Sequence, residues 1–343
     1  LLNDFGLLSY FKNDNLLNLN KINSMKANNQ KKVFWAVMLS GFVLMSNAAE
    51  VETKFSIKDE EAFKKLIPAD AKLERLAGNM RFTEGPVWVG ADGDGYLVFS
   101  DIPANQLKKW SRGGGLVTFR EPSNNANGNT VDRDGRLVTA EHSGRRISIT
   151  DKDGTVRTVV DSYNGKKLNS PNDVVVKSDG TIWFTDPPYG IKPDQKEQDA
   201  NYVFCYDPKT KELKAVASDF DRPNGLCFSP DEKLLYIADS GKPRHIRVFE
   251  VASDNTLRNG RVFCTIDVGG PDGIRCDNLG NVWSSAGDGV HIFSPRGELI
   301  GKILVPETPA NLCFGSEEGK RLFITARTSL YSIKTFVQSG VKR

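Results

Sequence analysis

Residues Leu168 to Gly190 read LNSPNDVVVKSDGTIWFTDPPYG. Two β-prone runs, VVV and TIWFT, flank the turn KSDG, which is the pattern of a hairpin. Polar residues stand at both of its open ends, Pro-Asn-Asp before the first run and Thr-Asp-Pro-Pro after the second. These are either ordinary loop residues or one copy of a site, and the rest of the chain decides between the two.

The hairpin is one of six similar segments. Aligned on the polar residue ahead of each apolar run, they are EGPVWVG at Glu84, NGNTVDR at Asn127, NDVVVKS at Asn172, NGLCFSP at Asn224, DGIRCDN at Asp272 and NLCFGSE at Asn311. Successive anchors lie 43, 45, 52, 48 and 39 residues apart, a period that marks a repeat array with several strands per unit. After each anchor come a short strand, a glycine or acidic turn and a second strand, which ends at Asp101, Glu141, Asp186 or Asp239 in the first four units. Two more strands follow in most units. Four antiparallel strands in each of six units predict an all-β, six-bladed β-propeller over residues 71–336.

The sixth unit has no convincing fourth strand, and AKLERLAG (71–78) precedes the first anchor with nothing to pair with. It is expected to supply the outer strand of the last blade and so protect both edges. Residues 49–70 then form a lead-in and 337–343 a frayed tail.

The N-terminal end reads differently. Met25 opens a basic stretch with Lys26, Lys31 and Lys32, then an apolar core from Val33 to Met45 and a small-residue cleavage site, Ser46-Asn47-Ala48. That is a secretory signal peptide over 25–48, too short in its apolar core to span a bilayer comfortably. Residues 1–24 are read as upstream sequence outside the fold, and the expected location is periplasmic or secreted. The formal charge of +3 comes from this end: residues 1–48 hold five Lys and two Asp, and the remainder balances at 41 basic and 41 acidic residues. Nothing calls for nucleic acid or, after cleavage, a membrane. The five cysteines (205, 227, 264, 276, 313) show no CxxC spacing and describe no disulfide framework.

In a propeller the first strand of each blade lies nearest the central channel, so the six anchors form an inner ring at one mouth. The second strand returns to that mouth one position further out. Glu84, Asn127, Asn172, Asn224, Asp272 and Asn311 offer carboxylate and amide oxygens, which suit Ca²⁺ or Mg²⁺. Zinc recruits His or Cys, and the three histidines (142, 245, 291) are not spaced to share a site. Pro precedes the anchor at Asn172, Asn224 and Asp272, stiffening the entry. Gly follows it at Gly85, Gly128, Gly225 and Gly273, allowing close approach near the axis. Asn311 is read as structural. No G-x-S-x-G elbow is present, which argues against a serine hydrolase.

The segments RFTEGPVW, NGNTVDRDGRLVTAEHSGRR, NSPNDVVVKSDGTIWFTDPPYG, RPNGLCFSPDEKLLYIADS and PDGIRCDNLGNVWSSAGDGVHIFSP together resemble the gluconolactonase / senescence-marker-protein (regucalcin) / luciferin-regenerating-enzyme family, the bacterial gluconolactonase branch above all. The resemblance runs from about residue 70 to 335. It implies a six-bladed propeller and a divalent cation, Ca²⁺ first, with Mg²⁺, Mn²⁺ and Zn²⁺ as alternatives. Its ligands would be Glu84, Asn172, Asn224 and Asp272. It implies Asn127 as a substrate contact. Asp186 and Asp239 of the outer ring, placed there by the repeat and not by the resemblance, are read either as further substrate contacts or as acceptors at the strand ends. Asp272 is expected to act also as base, and His142 as a proton shuttle. The activity implied is hydrolysis of a sugar lactone. The alternatives are a metal-dependent phosphotriesterase or arylesterase on the same site, and a sugar-acid-binding propeller without catalysis.

Overall fold

The computed structural model describes residues 49–90, 95–316 and 318–341. The upstream segment and the leader read at 25–48 lie outside the described residues. Among the described residues no helix is long and apolar enough to cross a membrane.

The opening hairpin forms as read. Val174–Val176 pairs antiparallel with Ile182–Asp186, with Val175 opposite Trp183. Its turn works because Gly180 takes a left-handed φ of 91° and Asp179 accepts from Thr181 N (2.9 Å) and Thr181 Oγ1 (2.6 Å). The same glycine turn recurs at Gly135 and Gly280, whose N–H groups bond Asp132 O and Asp277 O.

Six such units close into a ring. Their innermost strands are Thr83–Val89, Ala126–Val131, Val174–Val176, Pro223–Phe228, Ile274–Cys276 and Pro309–Gly315. Each packs on the next, and the sixth packs on the first. Each blade is an antiparallel sheet ordered from the axis outwards. The large apolar residues lie between blades rather than in one central core. Val138 and Ala140 meet Val174 and Phe184 between blades two and three, and Trp183 meets Leu226 and Phe228 between three and four. Equivalent clusters fill the four remaining junctions, the last of them joining Phe323 and Leu330 of blade six to Leu97 and Phe99 of blade one. The mouth of the channel that holds the anchors is therefore left to polar side chains.

Glu74–Ala77 pairs with Ser329–Lys334 and completes blade six from the N-terminal side, as the unpaired 71–78 segment requires. The lead-in does more than the sequence shows. Lys54–Ile57 adds a fifth strand to blade five, pairing with Leu299–Leu304, and Ala49–Glu50 extends blade six.

The tail corrects the reading of a frayed end. Val337 is buried, Ser339 bridges to Asp277, and Gly340 N donates to Cys276 O (2.9 Å). The far end of the channel supplies these partners, which the tail's own small residues do not announce. All five cysteines are buried, and none of them forms a disulfide among the described residues.

Candidate functional site

The anchors reach the axis through a local irregularity. The pairing register shifts between Glu84 and Val87, between Ala126 and Asn129, between Pro223 and Leu226, and between Pro309 and Asn311. A bulge of this kind re-aims a side chain, here turning the anchor into the channel. The glycine after the anchor makes room. A Cβ on Gly85 (φ 51°) would lie 2.0 Å from Asn127 O, and one on Gly225 would lie 2.3 Å from Asp272 O. The backbone belt is tied by Gly128 N to Asn172 O (2.7 Å) and Gly225 N to Asp272 O (3.1 Å).

Inside that belt the side chains form a chain of amides. Asn127 Nδ2 donates to Asn172 Oδ1 (2.6 Å), Asn172 Nδ2 to Asn224 Oδ1 (2.6 Å), and Asn224 Nδ2 to Ser240 Oγ (2.9 Å). Ser240 Oγ donates onward to Pro271 O (2.5 Å), next to Asp272. On the other side Asn311 Nδ2 donates to Glu84 Oε2 (3.0 Å), while its own Oδ1 accepts from Leu312 N (2.8 Å). Asn311 is thus a brace for Glu84, in keeping with its structural reading.

The amide bonds tie Asn127, Asn172 and Asn224 together, and Asp272 neighbours both Asn224 and Glu84, so the four expected residues Glu84, Asn172, Asn224 and Asp272 form one connected group with Asn127 beside them. Two observations show that this ring suits a hard cation. Asp272 Oδ1 is buried without a partner, an arrangement that costs about 1–3 kcal/mol or more for a charged group. Burial and neighbouring carboxylates also disfavour the ionisation of both acids. Burial, then Asp173 as a like charge, pushes Glu84 up to about 7. Burial, then Glu84 and Asp173, raises Asp272 well above the usual carboxylate range. A divalent ion on their side of the ring would reverse both effects. No cluster of three or more His, Cys, Asp or Glu side chains stands ready for a metal among the described residues. The donor set is two carboxylates and amide oxygens, which favours Ca²⁺ or Mg²⁺ over zinc.

Three expectations need correction. Asp186 and Asp239 do not face the pocket. Asp239 accepts from Asp221 N (2.9 Å), Arg222 N (2.8 Å) and Gly241 N (3.0 Å), and Asp186 accepts from Asn169 N (2.7 Å) while wholly buried. Each pins the loop that leads into the inner strand of its own blade. His142 does reach the ring, with Nε2 3.2 Å from both Asn127 Nδ2 and Asn172 Oδ1. Burial lowers it to about 4, however, so at neutral pH the ring is uncharged, and its contacts are two amides, an arrangement that suits orienting them better than passing a proton.

The sequence reading missed other groups. Tyr189 sits at the rim, 37% exposed, near Asn224 and Ser240, with the Arg222 guanidinium 5.6 Å from its ring centroid. Burial, then Asp272, pushes its phenol up to about 12, so it remains a hydrogen-bond donor. Its loop is clasped by Ser170, whose hydroxyl donates to Pro187 O (2.6 Å) and accepts from Gly190 N (2.8 Å). Nothing in the PPYG motif itself marks its aromatic residue as part of a site. Asp173 and Arg275, described below, were also missed.

A six-bladed propeller with an oxygen-lined pocket on its axis defines the class of protein. Within it, the chain belongs to the SMP-30/Gluconolactonase/LRE-like family, whose pattern matches residues 82–328. It is 36% identical over 312 residues to the gluconolactonase of Zymomonas mobilis, spanning 82% of this chain and 85% of that protein. The solved gluconolactonase of Xanthomonas campestris is 36% identical and superposes with a TM-score of 0.78, covering 84% of this chain and 96% of that one. The calcium-binding protein regucalcin of Agrobacterium tumefaciens shares the fold at 20% identity, with a TM-score of 0.62 over 77% of this chain and 95% of that one.

Proposed function

We propose that this protein is a hydrolase that opens a sugar lactone of the gluconolactone type at the axial pocket. Glu84, Asn172, Asn224 and Asp272 would hold one divalent cation, Ca²⁺ in the first instance. The single observation that carries the reading is the convergence of these four side chains at one mouth, with Asp272 Oδ1 unpartnered. The gluconolactonases that align over most of the chain support the substrate class.

A bound divalent cation supplies Lewis-acid polarisation of the lactone carbonyl and lowers the pKa of water beside it. The protein's own groups do the rest. Asp272 Oδ1 takes the proton of the attacking water as its oxygen bonds to the carbonyl carbon. The ring C–O bond breaks as the tetrahedral centre collapses, and Asp272 returns that proton to the leaving oxygen, which becomes the hydroxyl of the aldonic acid while the carboxylate is restored. Asn127, fixed by Asn172 and His142, presents its amide to the sugar hydroxyls. Tyr189 offers them a phenol donor and an aromatic face at the rim. Residues 25–48, read as a signal peptide, would direct the enzyme out of the cytoplasm.

The test compares purified protein on glucono-1,5-lactone, other aldonolactones and a paraoxon-type ester in a pH-stat. Lactone turnover well above the spontaneous rate supports the reading. Hydrolysis confined to the phosphotriester, or lactone binding without turnover, would replace it.

A further inference from the structure

Five of the six inner-strand entries follow one rule: a small or apolar residue comes after the anchor. Blade three breaks it with Asp173, and blade five places Arg275 in the middle of its innermost strand. The fold brings these two exceptions together across the channel. Arg275 Nη1 donates to Asp173 Oδ2 (3.2 Å) and to Ile274 O (2.7 Å), and the side chains are 12% and 1% exposed. Asp173 Oδ1 is occupied by Val174 N (2.9 Å). On one side of the pair stands the anchor ring, since Asp173 is a Coulombic neighbour of both Glu84 and Asp272, and Arg275 of Glu84. On the other side lies a chamber walled by Val175, Cys227, Phe228 and Cys276 and closed by Ser339 and Val341 of the tail.

We propose that Arg275 is a charge-setting residue for the cation site, cancelling Asp173 so that the axial cluster carries a net formal charge of two negatives, matched to a single divalent ion. Three carboxylates crowd the axis, and without Arg275 they would suit a higher charge or a second ion. A buried pair is a poor source of stability, because desolvation offsets its Coulombic gain, so a role in setting the field at the site gives this pair a reason to be there. The inference rests on the divalent-cation reading above and concerns how strongly that ion is held.

The experiment is calorimetric titration of chelator-stripped protein with CaCl₂ at pH 8, on wild type and three variants whose folding is checked by circular dichroism. Asp173→Asn leaves one net negative and is expected to weaken Ca²⁺ binding at least about tenfold, since charges interact substantially at interior separations. Asp173→Asn combined with Arg275→Met restores two negatives and is expected to return affinity to within about threefold of wild type. Arg275→Gln, which keeps a hydrogen-bond donor near Asp173, is expected to bind more tightly than wild type, and it keeps the test open should Asp173→Asn fail to fold. Affinity that ignores these charge changes, or a double variant as weak as the single one, overturns the proposal. Wild-type protein that takes up no Ca²⁺ at all overturns the cation reading instead.

Discussion

At the scale of the residue, two groups that look alike as catalysts in the sequence differ in their surroundings. Asp272 keeps a buried oxygen without a partner at the open side of the ring, while His142 is locked between two amides and held neutral by burial. Asp272→Asn is therefore expected to lower kcat by about 10²–10⁴-fold, the usual contribution of a general base, with the fold intact by circular dichroism. His142→Gln can still bond Asn127 and Asn172. It is expected to change KM by a few-fold and to leave the pH–rate profile between pH 5.5 and 7.5 unmoved. A lost limb in that profile would restore His142 as the proton carrier. The anchors were legible because the same residue types recur in register with the turn that follows. Tyr189 was not, because a single aromatic residue in a proline-rich loop carries no periodic signal, and its position comes from the Ser170 clasp 19 residues upstream.

At the scale of the element, the hairpin explains why strand-end aspartates misled. An Asp that closes a second strand has the same sequence signature whether it faces the axis or turns back to its own loop. The backbone N–H groups of residues 169 and 221–222 decide the matter, and they belong to a loop whose path the sequence does not give. Asp186 offers a test through pH. Burial raises it to about 7 in the folded protein, against about 3.9 when unfolded. The folded state therefore binds the extra proton between these values, and stability falls as pH rises from about 4 to 7. Asp186→Asn removes that dependence. Relative to wild type, the variant should show its largest Tm deficit at pH 5 and a smaller one, or a gain, at pH 8. A Tm difference that stays constant across this range would contradict the placement.

At the scale of the whole molecule, ring closure is the structural fact on which the site depends. Six anchors meet only if blade six seats against blade one, and that junction includes Leu76, buried in the returning N-terminal strand. Removing everything before Asn79 deletes the outer strand of blade six together with the fifth strand of blade five. The shortened chain is expected to lose its cooperative thermal transition by circular dichroism. A truncated protein that melts sharply near the wild-type temperature would show that closure does not need this strand. The blade count and the closing strand were legible because each blade repeats its hairpin and leaves the last one a strand short. The extra strand at Lys54–Ile57 and the seated tail were not. Four residues alternating K-F-S-I are too few to register as a strand, and small residues at a chain end look the same free or docked.

The central claim, that a ring of carboxylate and amide oxygens holds the cation that lactone opening requires, is met most directly by chelation. Protein stripped with EDTA and assayed on glucono-1,5-lactone in a pH-stat should fall to the spontaneous rate, then recover fully as Ca²⁺ or Mg²⁺ is added back to about one equivalent per chain. Full lactonase activity in metal-free protein would contradict the account.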